Sequence, residues 1–361
     1  MDESHTLTVL GTTDLHGHLL DWDYHRDEPY RDDWGTSTGL ARVATVVRRV
    51  RAAGHAPILI DNGDFLQGTP LALHAAEGLL TGQSHPMAIA MNALRFDAAV
   101  VGNHEFDFGL GALRAFGSQV AFPLLGANVA DNASGDDAFV PYVMRDVDVP
   151  IGRPVRVAII GLAHPGTGVW NRAQLGDALR FDGLVEAARR WVPHAREGGA
   201  DVVIVAAHSG LTVGESAGAE HAFVGVERLA AQVPGIDAIL AGHSHREVEC
   251  QPFVNASTGE QVIMTMPMCW GMRVSAIDIT VERSGDRYRV AQANARLIDT
   301  AGGEEDPEIV RLVGPYHRAA IDAGRTPVGT SAEALDGCAA PWRPAPLVSL
   351  VQHAQSASVA D

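Results

Sequence analysis

Three observations predict an α/β fold for this chain. Short, β-rich apolar runs alternate with segments of helical spacing from the N-terminus to about residue 245. At 361 residues and 46% hydrophobic composition the chain can bury a sizeable core. Polar clusters also recur directly after the apolar runs, where a layered sheet exposes the ends of its strands. The runs are Leu7 to Leu10, Pro57 to Ile60, Ala98 to Val101, Val155 to Gly161, Val202 to Ala206 and Ile236 to Leu240. Each has strand length and little internal alternation, as expected where both faces are covered. Between them Leu40, Val43, Ala44, Val47 and Val50 fall on one helical face, as do Leu184, Ala187, Ala188 and Trp191. Further on, Gln261 to Met266, Val274 to Val281 and Tyr288 to Ala295 are expected to be consecutive strands of one antiparallel portion of a sheet. From Gly324 the composition changes: Pro327, Pro341, Pro344 and Pro346 punctuate an Ala/Ser-rich stretch ending in the helical pattern Leu347 to Ala354. A stretch of about 35 residues cannot bury a core of its own, so 1–323 is expected to be the folded domain and 324–361 a linker.

The composition excludes several functions. All 27 basic residues are Arg, which rules out a P-loop lysine, a Schiff-base lysine and a Ser-Lys hydrolase. A formal charge of −17 argues against a nucleic-acid duplex as partner and suits cation binding. Cys250, Cys269 and Cys338 form no C-x-x-C pair, so neither a disulfide framework nor a thiolate zinc site is indicated. No uninterrupted apolar run has the length of a membrane span. Met1-Asp2-Glu3-Ser4-His5 lacks the regions of a signal peptide, so either a leader has been removed or the protein is cytosolic.

The strand-end clusters carry the chemistry. Asp14-Leu15-His16 follows the first run, Gly63-Asp64 the second and Gly102-Asn103-His104-Glu105 the third; His208-Ser209-Gly210 and Gly242-His243-Ser244-His245 follow the last two. Ligands of open α/β sheets bind beyond the carboxyl ends of strands, so the five clusters should converge. Asp14, His16, Asp64, Asn103, His208, His243 and His245 make seven nitrogen and oxygen donors, too many for one tetrahedral ion. Two divalent ions sharing one carboxylate would use them all, and Asp64, preceded by Gly63, is the expected bridge. A metal pair about 3.5 to 4 Å apart acidifies a bridging water and clamps an in-line phosphoryl displacement. His104 adjoins Asn103, and adjacent loop side chains diverge, which leaves its imidazole for the substrate. There it could stabilise phosphoryl oxygens or protonate the leaving alkoxide, with Asp107 holding its tautomer.

A His or Asp at a strand end is ordinarily a cap or a solvated loop residue. Five such clusters in order, each closing an expected strand, make that explanation fail on coincidence. His18, His25, His55, His74, His164 and His221 show no such placement and are expected on the surface or in the core.

Together these five motifs resemble those of the calcineurin-like metallophosphoesterases. More narrowly, "TTDLHGH", "DNGDFLQGTPLA", "GNHEFDFG", "AHSGL" and "GHSH" resemble the bacterial 5'-nucleotidase and 2',3'-cyclic-nucleotide 2'-phosphodiesterase family, from about residue 6 to about residue 300. Asp21-Trp22-Asp23-Tyr24 and Trp270-Gly271 look closer to the cyclic-nucleotide branch, with possible 3'-nucleotidase activity; the alternative is a 5'-nucleotidase or UDP-sugar hydrolase. The resemblance implies a four-layer α/β/β/α sandwich, a nucleotide substrate, a periplasmic or secreted setting, and two divalent ions, with Mn, Zn or Co expected. It implies one ion held by Asp14, His16, Asp64 and His245, a second held by Asp64, Asn103, His208 and His243, and a substrate-side dyad of His104 and Asp107. In the family a C-terminal domain supplies phosphate-binding arginines and base-stacking rings, and the sequence ends at Asp361. The expectation is a catalytic half that binds metal but handles nucleotides poorly.

Two rival readings find less support. Gly214-Glu215-Ser216-Ala217-Gly218 matches a G-x-S-x-G nucleophile motif but stands several residues past its strand, in a Gly/Ala-rich stretch. A non-catalytic metal- or nucleotide-binding module would be expected to have lost ligands, whereas here the set is complete. Asn132-Ala133-Ser134 and Asn255-Ala256-Ser257 fit a glycosylation tripeptide, a weak signal.

Overall fold

A computed structural model describes residues 4–54, 56–212, 225–332, 334–337, 342 and 344–358. The chain divides into two compact units, Met1–Gly324 and Arg325–Asp361.

The first unit is built on two six-stranded sheets. In the first sheet the spatial order is Arg287–Asp299, Arg273–Ser284, Ser4–Thr12, Ile58–Asp61, Ala98–Val100 and Leu124–Leu125. Ser4–Thr12 runs parallel to Ile58–Asp61, with Val9 opposite Ile58, and antiparallel to Arg273–Ser284, with Val9 opposite Ile277. In the second sheet the order is Glu247–Val254, Gln261–Pro267, Ala238–Ala241, Val202–Ala207, Val155–Leu162 and Tyr142–Val147. Its four central strands are parallel and its two edges antiparallel.

Strand periodicity explains how these sheets stack. Val202, Ile204 and Ala206 point into one apolar cluster with Val9, Ile60, Ile159 and Leu240, drawn from both sheets. Their neighbours Val203 and Val205 point the other way, against Leu184, Ala188, Val192 and Leu229 of the helices Leu184–Glu197 and Val226–Gln232. A third cluster joins Leu10 and Leu59 to Leu40, Val43, Met87, Met91 and Ile309, from the helices on the outer face of the first sheet. Three apolar layers between four layers of secondary structure make an α/β/β/α sandwich, and burial on both faces is why the strand runs read as continuously apolar.

One expectation fails. Gln261–Pro267 does not join the two strands that follow it: it pairs in parallel with Ala238–Ala241 in the second sheet, while Arg273–Ser284 and Arg287–Asp299 form a hairpin at the edge of the first. The chain crosses between sheets at 268–272, with Met268 at φ 62° and Trp270 at φ 57°. Helix Pro307–Gly324, which the sequence pattern did not reveal, closes the outer layer through Ile309, Val313 and Ala320; Pro315 inside it breaks the propensity signal.

In the second unit, helix Pro346–Ser358 covers the expected pattern Leu347 to Ala354, and none of its side chains is buried. Among the described residues no helix is long and apolar enough to cross a membrane. Cys250 is half-buried and Cys269 buried, both as free thiols. Cys338, His55, His221 and the Gly214 to Gly218 motif lie outside the described residues. Asn255 is buried and donates to Ala230 O at 2.9 Å, a poor glycan acceptor.

His85 gives the fold a testable pH dependence. It caps helix Pro86–Leu94, its Nδ1 accepting from Met87 N–H at 3.2 Å, while Nε2 is buried without a partner. Burial pushes its pKa down to about 4. The unfolded chain therefore binds the proton more readily, so stability is full above the ordinary pKa near 6.5 and falls as pH drops towards 4. His85→Asn keeps a capping acceptor and removes the titration. Denaturant unfolding between pH 6.5 and 4 should show the wild type losing up to about 1.4 kcal/mol per pH unit more than the variant.

Candidate metal centre

Every predicted ligand stands in the loop after a strand of one of the two sheets, and strain marks these loops. Nine described non-glycine residues have positive φ, and five of them are Asp14, His16, Asp64, His243 and His245. A left-handed backbone costs an L-residue energy and persists only where its surroundings enforce it. Here main-chain bonds do so: Asp14 N–H donates to Gly63 O at 2.8 Å and His16 N–H to Asp64 O at 2.7 Å. His104 N–H donates to Asp64 Oδ1 at 2.8 Å and His243 N–H to Asp14 Oδ2 at 3.0 Å. Gly63, at φ 94°, could not carry a Cβ, which would lie 2.6 Å from Gly102 N and 2.9 Å from His208 Nδ1.

The seven predicted ligands converge. Asp14, His16 and His245 present ligand atoms within 4.8 Å of one another, and so do Asp64, His208 and His243. His208 Nε2 is 2.9 Å from Asp64 Oδ2, and His245 Nε2 is 3.2 Å from Asp14 Oδ1. His16 Nε2 is 3.0 Å from His245 Nε2, and Asn103 Oδ1 is 3.0 Å from His243 Nδ1. Two carboxylates buried together demand positive charge nearby. Burial opposes protonation of His208, yet Asp64 and Asp14 drive its pKa up to about 10. His245 also rises to about 10, chiefly through its hydrogen bond to Asp14.

The donor chemistry fits divalent cations. His208 Nδ1–H is spent on Asn62 O at 2.6 Å and His16 Nδ1–H on Gln67 O at 2.8 Å, which fixes both tautomers with the Nε2 lone pair facing the centre. The buried Nε2 of His208 has no aligned hydrogen bond, although it faces a carboxylate oxygen. A lone pair aimed at a carboxylate is repulsive unless a cation stands between them. Imidazole nitrogens, carboxylate oxygens and an amide oxygen suit first-row divalent metals.

His104 lies beside this set, its ring 5.1 Å from that of His16. Its Nδ1 donates to Asp107 Oδ2 at 2.7 Å, and Asp107 Oδ1 accepts from Asn171 Nδ2 at 2.7 Å. His16, Asp64 and His104 also have ligand atoms within 4.8 Å of one another, so distance alone would admit His104 as a ligand. Its engagement by a carboxylate that is itself held argues for the substrate side.

Several residues in this arrangement were not assigned from sequence. Glu105, wholly buried, accepts from the N–H groups of Asp64 and Gly102 at 2.7 Å each, Phe65 at 2.7 Å and Leu66 at 3.1 Å, clamping two ligand loops together. Its signal was its place in the Gly102 to Glu105 motif. Asn171 carried no local signal. His164, expected on the surface or in the core, is buried against the site: its ring stands 4.5 Å from that of His243 and 4.6 Å from that of Trp170. His18 is half-buried and stacks on Trp270 at 4.6 Å. Asp21 pairs with Arg42 at 2.8 Å and Tyr24 OH lies 2.9 Å from His317 Nδ1, so this segment braces two helices.

A two-sheet sandwich with a nitrogen and oxygen ligand cluster at its strand ends defines the metal-dependent phosphoesterase class. Residues 7–247 match the calcineurin-like phosphoesterase family, and the chain belongs to that family, which uses divalent metals. The chain is 32% identical over 373 residues to the 2',3'-cyclic-nucleotide 2'-phosphodiesterase/3'-nucleotidase of Yersinia enterocolitica, covering 97% of this chain and 56% of that protein. It is similar to the crystal structure of the calcineurin-like phosphoesterase YfkN from Bacillus subtilis, with TM-score 0.78 and 30% identity over 90% of this chain and 100% of that one. It is also similar to that of a 5'-nucleotidase precursor from Thermus thermophilus, with TM-score 0.69 and 26% identity over 89% of this chain and 60% of that one. The chain thus spans about half the length of curated relatives it matches.

Proposed function

We propose that this chain hydrolyses nucleotide phosphoesters, acting on 2',3'-cyclic nucleotides as a 2'-phosphodiesterase with 3'-nucleotidase activity. The observation that carries the reading is the convergence of two buried carboxylates with imidazole lone pairs whose other ring nitrogens are already spent. In this reading Asp14, His16, Asp64 and His245 hold one divalent ion, and Asp64, Asn103, His208 and His243 hold another, with Mn, Zn or Co suited to the donors. When bound, such a pair activates water and neutralises charge on the transferring phosphoryl group.

The chain's own residues do the rest. Glu105 fixes the Asp64 and Gly102 loops, and Asn62 O and Gln67 O fix two imidazole tautomers. Burial works against protonation of His104, but Asp107 and Asp64 hold its pKa above the ordinary value. His104 can therefore carry the proton that the reaction needs at Nε2. Water oxygen bonds to phosphorus, the P–O2' bond breaks, and His104 gives its proton to the departing 2' oxygen, leaving a 3'-phosphate.

The cyclic preference is supported by the relatives bearing that name. The likeness to a 5'-nucleotidase precursor favours the second reading, hydrolysis of 5'-nucleotides at the same centre. A panel of 2',3'-cAMP, 3'-AMP and 5'-AMP, assayed with each metal, separates them. Turnover of 2',3'-cAMP is expected to be the fastest, and faster release of phosphate from 5'-AMP would reverse the assignment.

A further inference from the structure

A cavity of about 630 Å³ opens beside His245, and Tyr30, Trp34, Met268, Trp270 and Met272 supply its apolar lining. Trp270 is a fixed wall. Its N–H donates to Asp14 O at 2.8 Å and its carbonyl accepts from Gly39 N–H at 2.8 Å, which ties it to the loop that carries Asp14 and His16. Its ring stacks on His18 at 4.6 Å and 18° and meets Tyr30 edge-on at 6.1 Å. Trp34 is the opposite case, an indole 86% exposed to water. The Asp32 carboxylate holds its turn, Oδ1 accepting from the N–H groups of Trp34 at 3.1 Å and Thr36 at 2.9 Å. An indole left in solvent keeps a large apolar surface available for a ligand. The charge that faces this cavity is already neutralised, because Arg273 pairs with Glu247 at 3.2 Å and Asp299 at 3.0 Å. The lining therefore suits an uncharged, flat, polarisable group, and the volume falls in the range of small-molecule sites.

We propose that this cleft is a base subsite: it takes the heteroaromatic base of a nucleotide whose phosphate lies at the cluster around Asp14 and His245. The assignment rests on the phosphoesterase reading and adds to it, because the metal ligands act on phosphorus whatever the ester carries, whereas Trp34 and Trp270 discriminate for a base. One ribose separates base from phosphate in a 2',3'-cyclic nucleotide, which matches a cleft that begins at a ligand side chain.

The test compares 2',3'-cAMP with ribose 2',3'-cyclic phosphate, the same reacting group without a base, on the Mn-loaded protein. Trp34 is exposed, so Trp34→Ala should leave folding intact. The ratio of kcat/KM between the nucleotide and the base-free ester should fall about 10-fold in that variant, within the range of one lost stacking contact, and the loss should lie in KM. Trp34→Phe should restore most of the ratio. Adenosine, which has no phosphate, provides a readout independent of turnover: calorimetry should show it binding the wild type about 10-fold more tightly than Trp34→Ala. An unchanged ratio with unchanged adenosine affinity would overturn the subsite and leave the phosphoesterase reading standing. Equal losses on both esters would also overturn it, as a general disturbance of the centre. If no phosphoester is turned over with any metal, the phosphoesterase reading falls, and the adenosine titration still decides the cleft.

Discussion

Replacing Asp64 with Asn is expected to bring bound metal well below two per chain and to abolish phosphoester hydrolysis. Asp64 is wholly buried, its Oδ1 accepts from His104 N–H at 2.8 Å, and its Oδ2 lies 2.9 Å from His208 Nε2 and 4.0 Å from His16 Nε2. No other carboxylate in the cluster touches residues assigned to both ions in this way. An amide keeps the shape but removes the negative charge and offers a single acceptor oxygen. Metal analysis after dialysis reads the first effect directly. A second readout is independent of turnover: metal at a hundred times its Kd should stabilise the wild type by about 2.7 kcal/mol per site, and the variant by much less. A variant that binds two metals and turns over near-normally would show that the bridging assignment is wrong.

His104→Ala is expected to lower kcat by roughly 10²- to 10⁴-fold with metal content unchanged, the range for a lost general acid or charge stabiliser. The geometry behind this is the chain of contacts from His104 Nδ1 to Asp107 and on to Asn171, each at 2.7 Å, which commits one ring nitrogen and leaves the other for the substrate. Asp107→Asn should cost less, as expected of a residue that acts by orienting another. Leaving groups give a further check. An ester whose alkoxide needs no proton, such as bis(p-nitrophenyl) phosphate, should suffer less from His104→Ala than 2',3'-cAMP if the histidine serves as the acid. Loss of metal from the variant would instead move His104 into the ligand set, which the 4.8 Å grouping with His16 and Asp64 permits.

Much of this centre could be read from the sequence because its determinants are local. Each motif couples an apolar run, which makes a strand, to a short polar segment at the strand's end, and the ends of neighbouring strands in a layered sheet meet. Asp14, His16, Asp64, Asn103, His208, His243 and His245 could therefore be grouped without coordinates, and the same logic set His104 and Asp107 beside them. The strand runs were legible for a related reason: residues such as Val203 and Ile204 face different cores, so both faces of the run had to be apolar.

What only the tertiary structure decided depends on partners far away in the chain. A run buried on both faces reads the same in either sheet, so pairing alone put Gln261–Pro267 in the second sheet and Arg273–Ser284 in the first. That crossing in turn set Trp270 against Asp14 O. Asn171 holds Asp107 across 64 positions of sequence, and Glu105 gathers N–H groups from 102 and from 64 to 66. A single hydrogen-bonding side chain has no period and no composition signature; its role exists only once folding has brought its partner within 3 Å or so.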